Sequence, residues 1–281
     1  MNRRVEAVIF WFAMLSLQSS GHAQELQNPP EQSPSNSFAS TVGGDVLHVF
    51  SSPFRLRQED GLKLLAITAV TTVFVTLLDD RIDENFIERD DFYVKPAIGL
   101  AKVGTGYNKL SSKYVLAGLS IPMLAGGLIF KDKKLLETTR LMVEAFLISG
   151  VITQLGKRVF GRARPFTGEG SLEFEPFKFR STRDTRSFPS GHSTSAFSMM
   201  TVLSKQYDRW WIKIPTYTLA VSVALQRIDS RNHWGADVVV GGLIGYWVGS
   251  TLVNKHKPQS KSTSINPYIF GNRVGVMVNF Y

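Results

Sequence analysis

Three clusters of residues in this sequence have the types and spacing to do chemistry on an anion. The first is Lys157, Arg158, Val159, Phe160, Gly161, Arg162, Ala163, Arg164 and Pro165. Seven residues is about two helical turns, so in a continuing helix Lys157 and Arg164 would point the same way and converge as two fixed cations, with Pro165 ending the element. A basic helix end equally serves as a solvated face or a headgroup anchor. The second cluster is Phe188, Pro189, Ser190, Gly191 and His192, ahead of a helical stretch. Ser190 is suited to cap that helix, Gly191 allows close backbone approach, and the free N–H groups of the first turn point at a bound anion. His192 is placed to give or take a proton there, although Pro-Ser-Gly is also a commonplace helix start. The third cluster contains Arg227, His233 and Asp237. A histidine and a carboxylate four apart on a helix can pair through one ring nitrogen and leave the other free as a nucleophile. A structural hydrogen-bonded pair or half of a metal site has the same spacing.

The elements that must position these clusters read as helices. Uncharged apolar runs occupy Leu64 to Leu78, Tyr114 to Phe130, Ile214 to Gln226 and Val238 to Asn254, with lengths of 15, 17, 13 and 17 residues. The first and third fall below the ~17–25 residues usual for a spanning helix. Leu135 to Gly156 and Ser193 to Ser204 add two helical patterns, and Arg140 and Glu144 stand four apart to pair within the former. The expected fold is an all-α bundle of six helices over 46–256, membrane-embedded or membrane-associated. A tail from 257 to 281 alternates Val274, Val276, Val278 and Phe280 with other residues, a strand-like pattern.

Taken together, the three clusters resemble the three-part signature of the type 2 phosphatidic acid phosphatases (PAP2), the superfamily shared with bacterial acid phosphatases and vanadium haloperoxidases. The resemblance covers roughly residues 135–253. It departs in one place: the family usually carries Ser before the third-cluster Arg, and here Gln226 stands there. The resemblance implies a six-helix bundle and a phosphatase that uses neither metal nor cofactor. By it, His233 attacks phosphorus to form a phosphohistidine, Asp237 holds its tautomer, and His192 protonates the leaving oxygen and then activates water. Lys157, Arg164, Arg227, the Ser190 hydroxyl and the Gly191 N–H would bind the phosphoryl oxygens. Arg158, Arg162, Arg183 and Arg186 lie near the signature without belonging to it, and read as surface charge or as a second-phosphate site.

Composition narrows the remaining choices. The 281 residues carry 32 Lys plus Arg against 23 Asp plus Glu, a net charge of +9 that suits an anionic partner. The absence of cysteine excludes disulfides, a thiolate nucleophile and Cys-ligated metals. A mean hydropathy of -0.02 straddles soluble and membrane proteins. Residues 1–23, with Arg3 and Arg4 before an apolar stretch and Gly21 and Ala23 at the end, have the layout of a secretory signal peptide. Residues 24–45 read as a disordered linker, with three prolines and almost nothing apolar to bury. The expected location is the bacterial cell envelope, either the inner membrane with the site facing the periplasm or the periplasm itself. The motif ends are as basic as the opposite ends, which blunts any charge-based orientation. The expected function is hydrolysis of a lipid phosphate or diphosphate, with no nucleic-acid partner. A soluble acid phosphatase, a lipid phosphotransferase, a vanadate-dependent haloperoxidase and a silent scaffold are the alternatives.

Overall fold

A computed structural model describes residues 37–55, 57–92, 94–177, 182–257, 263–270 and 273–280. The signal-like segment and most of the linker call lie outside them. Within them the chain runs through α1 (Phe38–Ser51) and then α2, a rod formed by Gln58–Val73, a π-helical turn Phe74–Leu78 and Asp79–Glu88. It continues as α3 (Val94–Leu110), α4 (Ser112–Ile129), α5 (Lys133–Phe160), α6 (Gly191–Tyr207), α7 (Trp210–Asp229) and α8 (Gly235–His256). The tail forms an antiparallel ribbon in which β1 (Thr263–Phe270) pairs with β2 (Arg273–Phe280), Thr263 facing Phe280.

The body is all-α, with two helices beyond the six expected. In α3, Lys95, Lys102 and Lys109 recur every seven residues on an exposed face while Val94, Ile98, Ala101 and Tyr107 are buried, so the lysines interrupt the apolar run without interrupting the helix. Residues 38–45 correct the linker reading. Ser37 caps α1, its Oγ accepting from the Ser40 N–H at 3.3 Å, and Val49 is fully buried. The decisive group is Asp45, also fully buried, which accepts from Arg140 Nη1 at 2.7 Å, Lys255 Nζ at 2.7 Å and His256 at 2.8 Å. These partners lie far along the chain, so composition alone could not reveal them. The expected pair within α5 forms as well, Arg140 Nη1 lying 2.9 Å from Glu144 Oε1.

Helices α5, α6, α7 and α8 supply the main core through Leu141, Met142, Ala145, Met199, Val202, Val223, Val248 and Leu252. The helices α6 and α8 approach very closely: a Cβ on Gly245 would sit 2.3 Å from the Thr194 carbonyl oxygen. That contact brings the N-terminal ends of both helices, which carry the second and third clusters, to one end of the bundle.

Among the described residues, three helices are long and apolar enough to cross a membrane: Asp60–Glu88, Ser112–Ile129 and Gly235–His256. The first run, too short when read as Leu64 to Leu78, is part of a 29-residue helix. Leu77, Ile121, Leu128 and Ile129 point outward from α2 and α4 with 62–73% of their surface exposed, an apolar exterior that a water-soluble bundle would bury.

Candidate active site

The first cluster is split by a glycine. Helix α5 ends at Phe160, and Gly161 takes the left-handed conformation at φ 58° as its cap. A Cβ on Gly161 would lie 1.9 Å from the Glu175 carbonyl oxygen, so this turn needs glycine for both its backbone and its space. Lys157 therefore sits in the last turn of the helix while Arg164 follows on extended backbone, just before a short 3-10 turn at Pro165–Thr167. The two cations do converge, but through this reversal and not through the continuing helix expected from their spacing. Buried Lys157 donates from Nζ to the carbonyls of Arg186 at 2.6 Å and Ser187 at 3.2 Å. Arg164 reaches Asn232 Oδ1 at 3.2 Å and the Arg186 carbonyl at 3.3 Å, and its Nε is buried without a partner among the described residues.

Ser190 is the N-cap of α6, as its sequence position predicted, and its side chain accepts from Ser193. It is fully buried, and it does not reach the cavity wall that Gly191 and His192 form. Burial, reinforced by the cations of Arg227, Lys157 and Arg164, pushes the His192 imidazole down to about 4. Arg227 occupies the last turn of α7, where its Nε is buried without a partner among the described residues. Its carbonyl accepts the N–H groups of Asn232 at 3.1 Å and His233 at 3.2 Å, which sets the loop that leads to the histidine.

His233 is not on a helix. It precedes Trp234, the N-cap of α8, and Asp237 is the third residue of that helix. The pairing still forms across the helix start, with His233 Nδ1 at 3.5 Å from Asp237 Oδ2. Burial holds His233 well below its usual value, the Lys157 and Arg164 cations adding to the effect and Asp237 opposing it. Asp237 Oδ2 also accepts from the Trp234 N–H at 2.9 Å and from the Ser187 hydroxyl, which lies 3.5 Å from His233 Nδ1 too. Its other oxygen accepts from Arg162 Nη1 at 2.8 Å.

A cavity of about 420 Å³ opens among these groups. Six of the eight residues expected from sequence line it: Lys157, Arg164, Gly191, His192, Arg227 and His233. Ser190 and Asp237 stand behind its wall. Arg183, outside the three signature patterns, and Asn232, at a variable position within the third, also line it, and Ser111, Ser112, Phe146 and Gly150 close the side next to α4 and α5. Arg162 overturns the surface reading made for it, being fully buried with no part in the cavity. Gln226, at the position where serine is usual, leaves its Oε1 buried without a partner among the described residues. The hydroxyl beside the His–Asp pair comes from Ser187, which no spacing rule singled out.

Residues 139–260 match the family model of the PAP2 superfamily. This region of the chain is similar to that superfamily. Its match covers all three clusters, and the helices that carry them, α5 to α8, are the helices of the main core. Among curated proteins, the chain is 24% identical over 232 residues to a lipid A 1-phosphatase of Porphyromonas gingivalis, across 78% of this chain and 47% of that protein. It is 32% identical over 144 residues to an undecaprenyl-diphosphatase of Sulfolobus acidocaldarius, across 49% of this chain and 63% of that one. The chain thus spans between about half and two thirds of the length of these relatives. Among solved structures, a transmembrane PAP2-type phosphatidylglycerolphosphate phosphatase from Bacillus subtilis matches with a TM-score of 0.47 at 20% identity, covering 70% of this chain and 98% of that one.

Proposed function

We propose that this protein is a PAP2-type phosphatase that hydrolyses a lipid phosphate or diphosphate through a phosphohistidine, without a metal. The observation that carries the reading is the convergence of Lys157, Arg164 and Arg227 on the cavity that also holds His192 and His233. Phosphoryl transfer needs positioning and charge stabilisation more than covalent help, and three fixed cations supply both.

In the first half-reaction the Nε2 lone pair of His233 forms a bond to phosphorus as the bond to the leaving oxygen breaks. His192 gives its proton to that oxygen, and Asp237 stabilises the positive charge that develops on the His233 ring. In the second, a water oxygen attacks phosphorus and passes a proton to His192 while the N–P bond breaks. With its value lowered to about 4, the His192 ring is neutral at pH 7. A phosphate dianion entering the cavity offsets the cations that keep it so, which readies the ring as an acid.

A lipid substrate is favoured over a soluble ester by the helix that flanks the cavity. Ser111 and Ser112 line it at the start of α4, a helix of spanning length whose apolar side chains face outward. A phosphate bound among the cations then has its apolar body beside that helix. The signal-like N-terminus and the apolar helices support a reaction at the outer face of a bacterial inner membrane.

The test is phosphate release by the purified chain in detergent and EDTA, from a panel of lipid phosphates and one soluble aryl phosphate, beside His233→Ala. EDTA-resistant release that disappears in His233→Ala is expected, with lipid phosphates turned over faster than the aryl ester. Wild-type rates in His233→Ala would remove the phosphohistidine reading, and a preference for the aryl ester would remove the lipid one.

A further inference from the structure

Asp79 lies on α2, outside residues 139–260, yet it is buried against the start of α8. Its Oδ1 accepts the Ala236 N–H at 2.9 Å, and its Oδ2 accepts from Arg162 Nη2 at 2.7 Å. The same guanidinium donates from Nη1 to Asp237 Oδ1 at 2.8 Å, and from Nε and Nη2 to the Ser171 carbonyl at 3.0 and 2.7 Å. The rings of Phe174 and Trp234 each lie 5.3 Å from its central carbon. Arg162 is thereby fixed on its edges and its faces, and it joins two carboxylates that are 158 positions apart in the chain.

Asp237 has two tasks that depend on this arrangement. Its Oδ2 must face His233, which requires the carboxylate plane to be held by whatever grips Oδ1. It must also offer negative charge to the imidazole as the N–P bond forms. A lone guanidinium at 2.8 Å would satisfy the first need and oppose the second, because its full charge would compete with the imidazole for the carboxylate. A second carboxylate on the far side of the guanidinium offsets that charge and keeps the grip.

We propose that Asp79, acting through Arg162, is a positioning residue for the Asp237–His233 pair. It sets which oxygen of Asp237 faces the nucleophile and keeps that carboxylate electron-rich. The proposal rests on His233 being the nucleophile. It reaches beyond the three clusters to a helix that carries no signature residue, and it makes α2 part of the catalytic architecture as well as of the membrane-facing surface.

The experiment compares wild type, Asp79→Asn and Asp45→Asn by steady-state turnover and by rapid-quench trapping of phosphohistidine, with kcat expressed per phosphorylatable site. Asp45 is the control for simple loosening. Its buried carboxylate accepts from Arg140, Lys255 and His256, none of which lines the cavity. Asp79→Asn is expected to lower kcat and the rate of phosphohistidine formation by about tenfold to a hundredfold with KM within about twofold, while Asp45→Asn stays near wild type. Wild-type kcat per site in Asp79→Asn, or equal falls in the two variants, would overturn the proposal. If Asp79→Asn leaves the Arg162 charge uncompensated and does not fold, Asp79→Asn with Arg162→Gln removes both charges together. The same fall in kcat is expected of that double variant, and a wild-type kcat in it counts against the proposal equally. Absence of phosphohistidine from wild type overturns both this inference and the function it rests on; its presence with an unaltered rate in Asp79→Asn overturns this inference alone.

Discussion

The ammonium of Lys157 donates to the carbonyl of Arg186 at 2.6 Å, a bond that joins the end of α5 to the segment leading into α6. It holds a buried cation at the cavity wall while leaving donor capacity for a phosphoryl oxygen. Lys157→Ala is expected to lower kcat/KM by roughly a hundredfold to a thousandfold, in line with loss of one stabilising donor. Inhibition by orthovanadate, titrated in parallel, is expected to weaken with it. Unchanged kcat/KM and vanadate inhibition would place the ammonium outside the phosphate site.

Acid is expected to destabilise the ligand-free protein. Folded His192 takes up its proton only near pH 4, whereas the unfolded chain does so near 6.5. The unfolded state therefore binds more protons in that window, and stability falls as pH drops through it and levels off below it. Melting temperatures measured from pH 7 to pH 4 should fall for wild type. They should fall less steeply for His192→Gln, in which only His233 of the pair continues to contribute.

Gly161→Ala is expected to disrupt the site and not merely loosen it. The added methyl would meet the Glu175 carbonyl at 1.9 Å on a backbone already in the left-handed region. Relief requires moving the segment that carries Arg162 and Arg164. A melting temperature lowered by several degrees together with lost turnover is the expected result. Full activity would mean that the reversal after α5 tolerates a different backbone.

Asp45→Ala removes the anion shared by Arg140, Lys255 and His256, at the end of the bundle away from the cavity. Breaking a fully buried ion pair costs about 3–5 kcal/mol, and the partial exposure of Arg140, Lys255 and His256 lowers the cost here. The variant should melt well below wild type in detergent. Its KM should be unchanged, because none of these side chains lines the cavity. A shifted KM would show that the two ends of the bundle communicate.

Much of this protein was legible from residue order. The helical body, the cap of α6 at Ser190, the Arg140–Glu144 pair and the six residues that line the cavity all follow from local rules of spacing and type, because each depends on neighbours within a turn or two or on a signature. Where local geometry changes within a few residues, the reading failed. Lys157 and Arg164 meet across the turn at Gly161, and His233 meets Asp237 across a helix start, so the right residues converge by different backbone paths.

Contacts between distant positions were left to the tertiary structure. Asp45 belongs to a helix because its three partners come from α5 and α8. Arg162 is buried because Asp79, Asp237 and the Ser171 carbonyl surround it, and Ser187 matters because its hydroxyl lands on Asp237. A buried charge is tolerated only when groups from elsewhere in the fold compensate it, and periodicity carries no record of such partners. Residue order thus determined the chemical inventory and the helices that present it. Only packing decided which charges are paired, which face the cavity, and which carboxylate from α2 stands behind the His233–Asp237 pair.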